Sequence, residues 1–146
     1  MGTGFRKVSL SPGQSDYIDQ AWVLKQEIRE ESGIFHYDRE FFEDLYTDEF
    51  VYACLSPDVG DMIGFTIIRA RGYMSLLAVK AEKRGNGYGQ SILEDSVKHF
   101  EEIECHVRET NTRAISFYKD FGFELVDIDK HYYDNGDDGL HLKYDE

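Results

Sequence analysis

Along this chain, apolar residues recur either at every second position or in short continuous runs, and both patterns predict β-strands. The predicted strands occupy, in chain order, residues 5–10, 50–55, 62–69, 73–79, 103–108, 123–131 and 140–144. Turn-forming residues join two pairs of neighbouring strands into hairpins, at 56–60 and at Asn135-Gly136. Strands of this number and spacing predict a β-sheet at the centre of the fold.

Apolar residues at helical spacing predict four helices between these strands. Two of them lie between the first and second strands, over residues 14–31 and from Asp38 onward. The third follows a glycine-rich turn and extends to about residue 100. The fourth begins at the capping residue Asn111 and ends at Gly122. The order of elements is therefore βααβββαβαββ.

Length and composition predict one folded domain over residues 1–146. Hydrophobic residues make up 41% of the chain and aromatic residues 14%, which argues against intrinsic disorder. Cys54 and Cys105 have no metal-ligand spacing, and two unpaired cysteines suit a reducing compartment. The chain has no apolar run typical of a signal peptide or a membrane span. We therefore expect a cytoplasmic protein that does not associate with membranes.

The charge distribution narrows the possible partners. A net charge of −13 argues against nucleic acid, because binding phosphate backbones requires a basic surface. Residues 62–93, however, contain five basic residues and one acidic residue. A local basic patch of this kind can hold a phosphorylated small molecule on an acidic protein. The remaining acidity is explained equally by an ordinary solvated surface or by adaptation to high salt.

Residues 84–89, Arg-Gly-Asn-Gly-Tyr-Gly, lie between a predicted buried strand and a predicted helix. Glycines allow the backbone to curl around a phosphate, and the first N–H groups of a helix point at it without an internal partner. The spacing matches neither the dinucleotide-binding fingerprint nor the P-loop. Considered alone, this segment could also be an ordinary connection between a strand and a helix.

Two motifs in register resemble the GNAT N-acetyltransferases. The Arg-x-x-Gly-x-Gly spacing at 84–89 is similar to the acetyl-CoA pyrophosphate loop of that family. Residues 111–123, with the pattern Asn-x-x-Ala-x-x-Phe-Tyr-x-x-x-Gly-Phe, resemble the second diagnostic segment of the family. The resemblance implies an α/β (α+β) fold: a single GNAT-like domain with a mixed, mostly antiparallel twisted sheet of about seven strands, flanked by four helices.

The resemblance also implies that acetyl-CoA is the acyl donor. It assigns the binding of this donor to Leu77, Ala78, Val79, Arg84, Gly85, Asn86, Gly87, Tyr88, Gly89, Asn111 and Tyr118. A backbone N–H group within residues 77–79 would polarise the acetyl carbonyl, at the point where this strand separates from the next.

The resemblance implies three catalytic side chains. Tyr118 corresponds to the family's general acid, which protonates the departing thiolate, although by its position it could also be a core aromatic residue. His106 lies on the polar face of its strand, where many relatives that acetylate protein N-termini have Glu. One branch of those enzymes has His there, paired with a Tyr at the start of the preceding strand, and Tyr73 occupies that place. The pair would deprotonate the amine through an ordered water, whereas a surface histidine is the simpler alternative.

The predicted acceptor site combines a hairpin and a helix loop. The hairpin containing Tyr132 and Tyr133 looks like the one that clamps a peptide N-terminus in ribosomal-protein alanine acetyltransferases and N-terminal acetyltransferases. The loop containing Phe35 and Tyr37 resembles the facing element of that clamp. Two tyrosines in a hairpin can also be a cross-strand packing pair. The acidic residues over 134–138 are too irregular for a calcium loop, so no metal is predicted.

These features predict an acetyl-CoA-dependent N-acetyltransferase in which an amine attacks the thioester directly. The expected acceptor is the α-amine of a protein or peptide N-terminus. One alternative keeps the chemistry and replaces the acceptor with a small molecule, such as a polyamine, an amino acid or an antibiotic-like amine. The other alternative is a regulatory module that binds acyl-CoA without turnover. Oligomeric state does not follow from the sequence.

Overall fold

The computed structural model describes residues 5–32, 38–57 and 60–145. This part of the chain contains seven strands and four α-helices in the predicted order. The strands are β1 (Arg6–Leu10), β2 (Phe50–Leu55), β3 (Met62–Ile68), β4 (Met74–Val79), β5 (Glu102–Arg108), β6 (Glu124–Asp129) and β7 (Gly139–Asp145). The helices are α1 (Ile18–Ser32), α2 (Arg39–Asp48), α3 (Tyr88–Ser96) and α4 (Thr112–Phe121). None of the helices in these ranges is both long and apolar enough to cross a bilayer.

Several elements are shorter than the sequence pattern predicts, and local backbone geometry explains the difference. α1 begins at Ile18 rather than near residue 14, because Tyr17 has a φ of 65°, which an α-helix does not contain. β6 ends at Asp129 rather than at 131, because His131 has a φ of 53° and cannot extend the strand. α3 also ends early, in turns whose N–H groups bond to carbonyls three residues back.

The strands form two antiparallel sheets, with the orders β1-β2-β3-β4 and β5-β7-β6. One parallel bridge between Tyr73 and Glu104 joins them, and the N–H of Glu104 donates to the carbonyl of Gly72 at 2.9 Å. Gly72 has a φ of 93°, and a Cβ atom there would collide with the carbonyl oxygen of Glu102. Within the described residues, β4 and β5 pair nowhere beyond this bridge. The predicted mixed, mostly antiparallel architecture is confirmed, and a groove opens between β4 and β5.

Two apolar clusters hold the helices against the sheets. α1 and α2 pack through a cluster that includes Phe42, Tyr46 and Phe65, all of which are fully buried. α3 contributes Ile92 and Leu93 to a second cluster, which also contains apolar side chains of α4, β5 and β7. Residues of β3 belong to both clusters, so this strand is buried on both faces. The second cluster fixes the starts of α3 and α4 beside the groove.

Candidate active site

The groove between β4 and β5 is an open cavity of about 1260 Å³. Its walls come from these two strands, the glycine-rich turn before α3, the start of α4 and the β6–β7 hairpin. Most of the predicted site residues line it: Tyr73, Leu77, Val79, Arg84, Gly85, Gly87, Tyr88, Gly89, His106, Asn111, Tyr118, Tyr132 and Tyr133. The fold therefore brings the predicted cofactor-binding, catalytic and hairpin residues to one cavity.

Among the described residues, two predicted site residues, Ala78 and Asn86, are not part of this lining. The side chain of Ala78 is buried in the core shared with α1 and α2, because alternate residues of a strand point to opposite faces. The side-chain amide of Asn86 donates to two carbonyls of its own loop, including that of Arg84 at 3.3 Å. The side chains of both residues are therefore engaged elsewhere than in the cavity lining. Phe35 and Tyr37 lie outside the described residues.

The glycine-rich turn has the geometry of an anion cradle. Gly85 and Gly87 have φ values of 84° and 85°, and a Cβ atom on either would meet no atom within 4 Å. Both glycines therefore have an open face toward the cavity. Gly87 precedes α3, whose first N–H groups have no intrahelical acceptor. The Nε of Arg84 donates to the carbonyl of Val79 at 3.3 Å, which ties the turn to the end of β4. These groups fit the pyrophosphate of a nucleotide-like donor.

Tyr118 lies in the part of the cavity wall that α4 forms. Its side chain is 8% exposed and packs against the rings of Phe117 and Phe123, with ring centroids 5.3 Å and 5.1 Å away. Burial raises the pKa of Tyr118 well above its ordinary value, so the phenol stays protonated. Asn111 caps the same helix by accepting the N–H of Ala114 at 3.2 Å, as predicted. A neutral phenol thus projects from a well-anchored helix into the cavity.

His106 is the centre of a hydrogen-bonded network on the polar face of β5. The hydroxyl of Tyr73 lies 2.8 Å from Nδ1 of His106, and an Asp129 carboxylate oxygen lies 2.6 Å from Nε2. The Tyr132 ring stacks on the imidazole, with centroids 4.1 Å apart and planes 6° from parallel. Burial raises the pKa of Tyr73 above its ordinary value, so this phenol also stays neutral. His106 is therefore held on both nitrogens and on one ring face.

A second histidine covers the other side of this arrangement. The ring of His141 on β7 stacks on His106 at 4.8 Å, and its Nε2 lies 2.7 Å from a carboxylate oxygen of Glu104. Ligand atoms of His106, Asp129 and His141 all lie within 4.8 Å of one another. The two imidazole planes are only 13° from parallel, so their in-plane lone pairs do not converge on a common point. This geometry is that of a hydrogen-bonded stack rather than of a metal-ligand set.

The β6–β7 hairpin closes one end of the cavity. The hydroxyl of Tyr132 lies 3.4 Å from that of Tyr73. The Arg108 guanidinium lies 4.8 Å from the centre of the Tyr133 ring and 3.6 Å from a carboxylate oxygen of Asp137. Arg108 on β5 therefore anchors the hairpin, and the charge of Asp137 is partly neutralised by this contact.

Residues 18–123 match the acetyltransferase (GNAT) family. The chain belongs to that family.

Among curated relatives, an N-alpha-acetyltransferase of Sulfolobus acidocaldarius is 40% identical over 74 residues, which cover 47% of this chain and 44% of that protein. The chain thus aligns with less than half of the length of this relative. A putative [ribosomal protein bS18]-alanine N-acetyltransferase of Bacillus subtilis is 28% identical over 109 residues, covering 68% of this chain and 72% of that protein.

Solved structures share the GNAT fold over nearly the whole chain. The ribosomal-protein-S18-alanine N-acetyltransferase of Escherichia coli superposes with a TM-score of 0.76 at 20% identity, covering 96% of this chain and 94% of that one. Naa50 of Arabidopsis thaliana, in complex with the bisubstrate analogue CoA-Ac-MVNAL, superposes with a TM-score of 0.75 at 24% identity, covering 99% of this chain and 100% of that one. The predicted fold class is confirmed by these neighbours.

Four residues of this GNAT site were missed by the sequence analysis. Asp129 and His141 meet His106 only because β6 and β7 fold back onto β5. Ser75 Oγ and Arg108 Nε are buried, have no hydrogen-bond partner within the described ranges, and belong to residues that line the cavity. Alternation along β4 and β5 could have pointed to Ser75 and Arg108, which are on the same faces as Leu77 and His106.

Proposed function

We propose that this protein transfers the acetyl group of acetyl-CoA to the α-amine of a protein or peptide N-terminus. The observation that carries the proposal is the contact between Tyr73 and His106 in the cavity that also contains Tyr118 and the glycine-rich turn. A proton acceptor for the amine and a proton donor for the thiolate then line the same cavity. The names of the relatives, several of which are N-alpha-acetyltransferases, support the same acceptor class.

The donor end uses backbone and one phenol. Acetyl-CoA, when bound, supplies the activated acetyl group as a thioester. The glycine-rich turn and the first turn of α3 bind its pyrophosphate. β4 is the last strand of its sheet, so alternate N–H groups around 77–79 point away from β3 and can polarise the acetyl carbonyl. Tyr118 donates its hydroxyl proton to the sulfur as the C–S bond breaks, and it regains a proton from solvent.

The acceptor end uses Tyr73 and His106. The incoming ammonium must lose one proton before its nitrogen can form the new C–N bond. Nδ1 of His106 receives that proton, through the Tyr73 hydroxyl or an ordered water, and becomes part of an imidazolium. The imidazolium later releases this proton to solvent. The second proton leaves the nitrogen for solvent as the C–S bond breaks and the amide forms, and it offsets the proton that Tyr118 takes back. The enzyme therefore returns to its initial state without a covalent intermediate.

The hairpin favours a peptide over a polyamine. Tyr132 and Tyr133 stand beside the Tyr73–His106 pair, and Tyr132 is 47% exposed. An exposed aromatic side chain at the entrance can pack on the first residues of a peptide, whereas a polyamine has no backbone or side chain to fill that place. A regulatory acyl-CoA-binding module would have no use for a hydrogen-bonded tyrosine–histidine pair beside a buried phenol.

The test is an acceptor panel, in which release of free CoA thiol is followed with N-terminal peptides, polyamines and amino acids. Peptides are expected to have the higher kcat/KM by a wide margin. Equal kcat/KM for peptides and polyamines would favour the small-molecule acceptor, and acetyl-CoA binding without thiol release from any amine would favour the regulatory module.

The same assay tests the proposed base. His106→Ala should lower kcat/KM and abolish the acidic limb of its pH profile, and His106→Glu should recover part of the activity. Losses in Tyr73→Phe and His106→Ala should be non-additive, since both groups act on one proton. His99→Ala is the matched control, because His99 is exposed on the α3–β5 connection, away from the cavity. Additive losses, or an acidic limb that survives in His106→Ala, would exclude His106 as the base.

A further inference from the structure

Asp129 is the last residue of β6 and its carboxylate lies 2.6 Å from Nε2 of His106. The side chain of His106 is 12% exposed and that of Asp129 is 40% exposed, so the contact is half-buried at the edge of the cavity. We propose that Asp129 is a positioning residue that fixes the tautomer of His106 and stabilises its protonated form during turnover. The inference rests on the proposed function, in which His106 is the base.

The tautomer follows from what each partner can donate. An ionised carboxylate has no proton to donate, so the short contact requires a proton on Nε2 of His106. A neutral imidazole protonated on Nε2 has its lone pair on Nδ1. Tyr73 is a neutral phenol, and its hydroxyl must therefore donate to Nδ1 across 2.8 Å. Asp129 thus leaves the basic nitrogen of His106 facing the cavity.

This orientation gives the proton a defined route. As the ammonium transfers one proton to the Tyr73 oxygen, Tyr73 passes its own proton to Nδ1 of His106, and the phenol remains neutral overall. The imidazolium then carries one positive charge beside the negative charge of Asp129, which keeps the Nε2 proton at the shared hydrogen bond without accepting it. The carboxylate thus stays in hydrogen-bond contact with the imidazolium that forms when the proton arrives.

Other groups also face the His106 ring. Tyr73 approaches from the start of β4, Tyr132 from the hairpin, and His141 from β7. Glu104, on the same strand as His106, acts mainly on His141, since its carboxylate lies 2.7 Å from Nε2 of that residue. Asp129 is the carboxylate in direct contact with His106 among the described residues. Because His141 can itself become charged, its titration must be separated from that of His106.

The first experiment compares Asp129→Asn with Asp127→Asn in the full chain. Asp127 lies on the same strand, is exposed, and bonds to the N–H of Ile128 instead of to the histidine. Both substitutions remove one negative charge, but only the first removes the carboxylate from His106. Asp129→Asn should lower kcat/KM roughly tenfold and move its acidic limb to lower pH, with acetyl-CoA affinity unchanged. Asp127→Asn should leave both properties near wild type.

The second experiment needs no substrate. Histidine-specific ¹⁵N labelling and two-bond ¹H–¹⁵N spectra report the tautomer and the titration midpoint of each imidazole, and His106→Ala identifies the signals of His106. The wild-type ring should carry its neutral-state proton on Nε2. Its signals should change with pH differently from wild type in Asp129→Asn, with the protonated form lost at lower pH, and not in Asp127→Asn. Repeating the titration in His141→Gln separates the two stacked rings.

The possible outcomes separate the role of Asp129 from the proposed acetyltransferase function. Wild-type His106 protonated on Nδ1, or equal shifts in both aspartate variants, would overturn the role of Asp129. Wild-type kinetics in Asp129→Asn, with His106→Ala inactive, would overturn it as well while leaving the proposed base intact. Loss of the proposed function would instead appear as wild-type protein that acetylates no peptide, and the spectra would still test the contact.

Discussion

Replacing Tyr118 with Phe tests the contribution of one hydroxyl proton to catalysis. The substitution keeps the ring contacts with Phe117 and Phe123 and removes only the hydroxyl. Within the described residues, no protein group hydrogen-bonds to that hydroxyl, so its removal leaves no buried partner unsatisfied. The free energy of unfolding should therefore change by less than about 1 kcal/mol.

The expected kinetic effect is much larger than the effect on stability. Loss of a general acid lowers kcat by roughly 10²–10⁴, which corresponds to about 3–5 kcal/mol in the activation barrier. Affinity for acetyl-CoA should change little, because the binding groups of the glycine-rich turn are untouched. Burial also raises the pKa of Tyr118 well above its ordinary value, so wild-type kcat should show no basic limb from this residue below about pH 10.

The assay combines single-turnover acetyl transfer to a peptide with calorimetric titration of acetyl-CoA. Tyr144→Phe is the matched control, because it removes a hydroxyl from the same aromatic cluster on a residue outside the cavity lining. Its kcat should remain at the wild-type value. Wild-type turnover in Tyr118→Phe, measured where chemistry limits the rate, would refute the role of the phenol as general acid.

Two further predictions concern the cradle and the thiols. Gly87→Glu should weaken acetyl-CoA binding severely in calorimetry, because it places a negative charge at the proposed pyrophosphate site. Gly13→Glu, with a similar φ of 98° and an open environment, should leave the affinity unchanged. Equal affinity in Gly87→Glu and wild type would show that this turn does not bind the donor. Cys54 and Cys105 should resist a disulfide-exchange reagent at pH 8 until the protein unfolds, because both thiols are buried. Burial also raises the pKa of Cys54 to about 11, so little of its reactive thiolate is present. Rapid labelling of the native protein would contradict this burial.

The sequence predicts well those parts of the site that depend on local geometry. Asn111 caps α4 and Gly122 ends it, because a side-chain acceptor and a positive φ act within one helical turn. The glycine-rich turn is local in the same way, and its two open glycines have the left-handed φ values that glycine permits. The order of strands and helices along the chain also follows from the periodicity of apolar residues.

The rest of the site depends on contacts between distant strands. Asp129 reaches His106 only because β7 lies between β5 and β6, and no pattern within β6 distinguishes Asp129 from its neighbour Asp127. Strand parity also separates the predicted cofactor-binding residues of β4, since Leu77 and Val79 line the cavity while the side chain of Ala78 is in the core. Pairing between strands decides the position of Asp129, and side-chain alternation along β4 decides that of Ala78.

Tyr73 and Tyr118, which both line the cavity, show how the surroundings can assign opposite roles to the same side chain. Burial raises the pKa values of Tyr73 and Tyr118, so neither phenol ionises at neutral pH. Neither residue can therefore act as a base in the form of a phenolate. Tyr73 has an imidazole nitrogen 2.8 Å from its hydroxyl, so it can pass a proton onward and accept another in its place. Tyr118 has no such acceptor among the described residues, and its hydroxyl can only give its proton to a group bound in the cavity. In the proposed mechanism, protons move from the amine toward His106 and from Tyr118 toward sulfur, because only Tyr73 has a basic neighbour among the described residues.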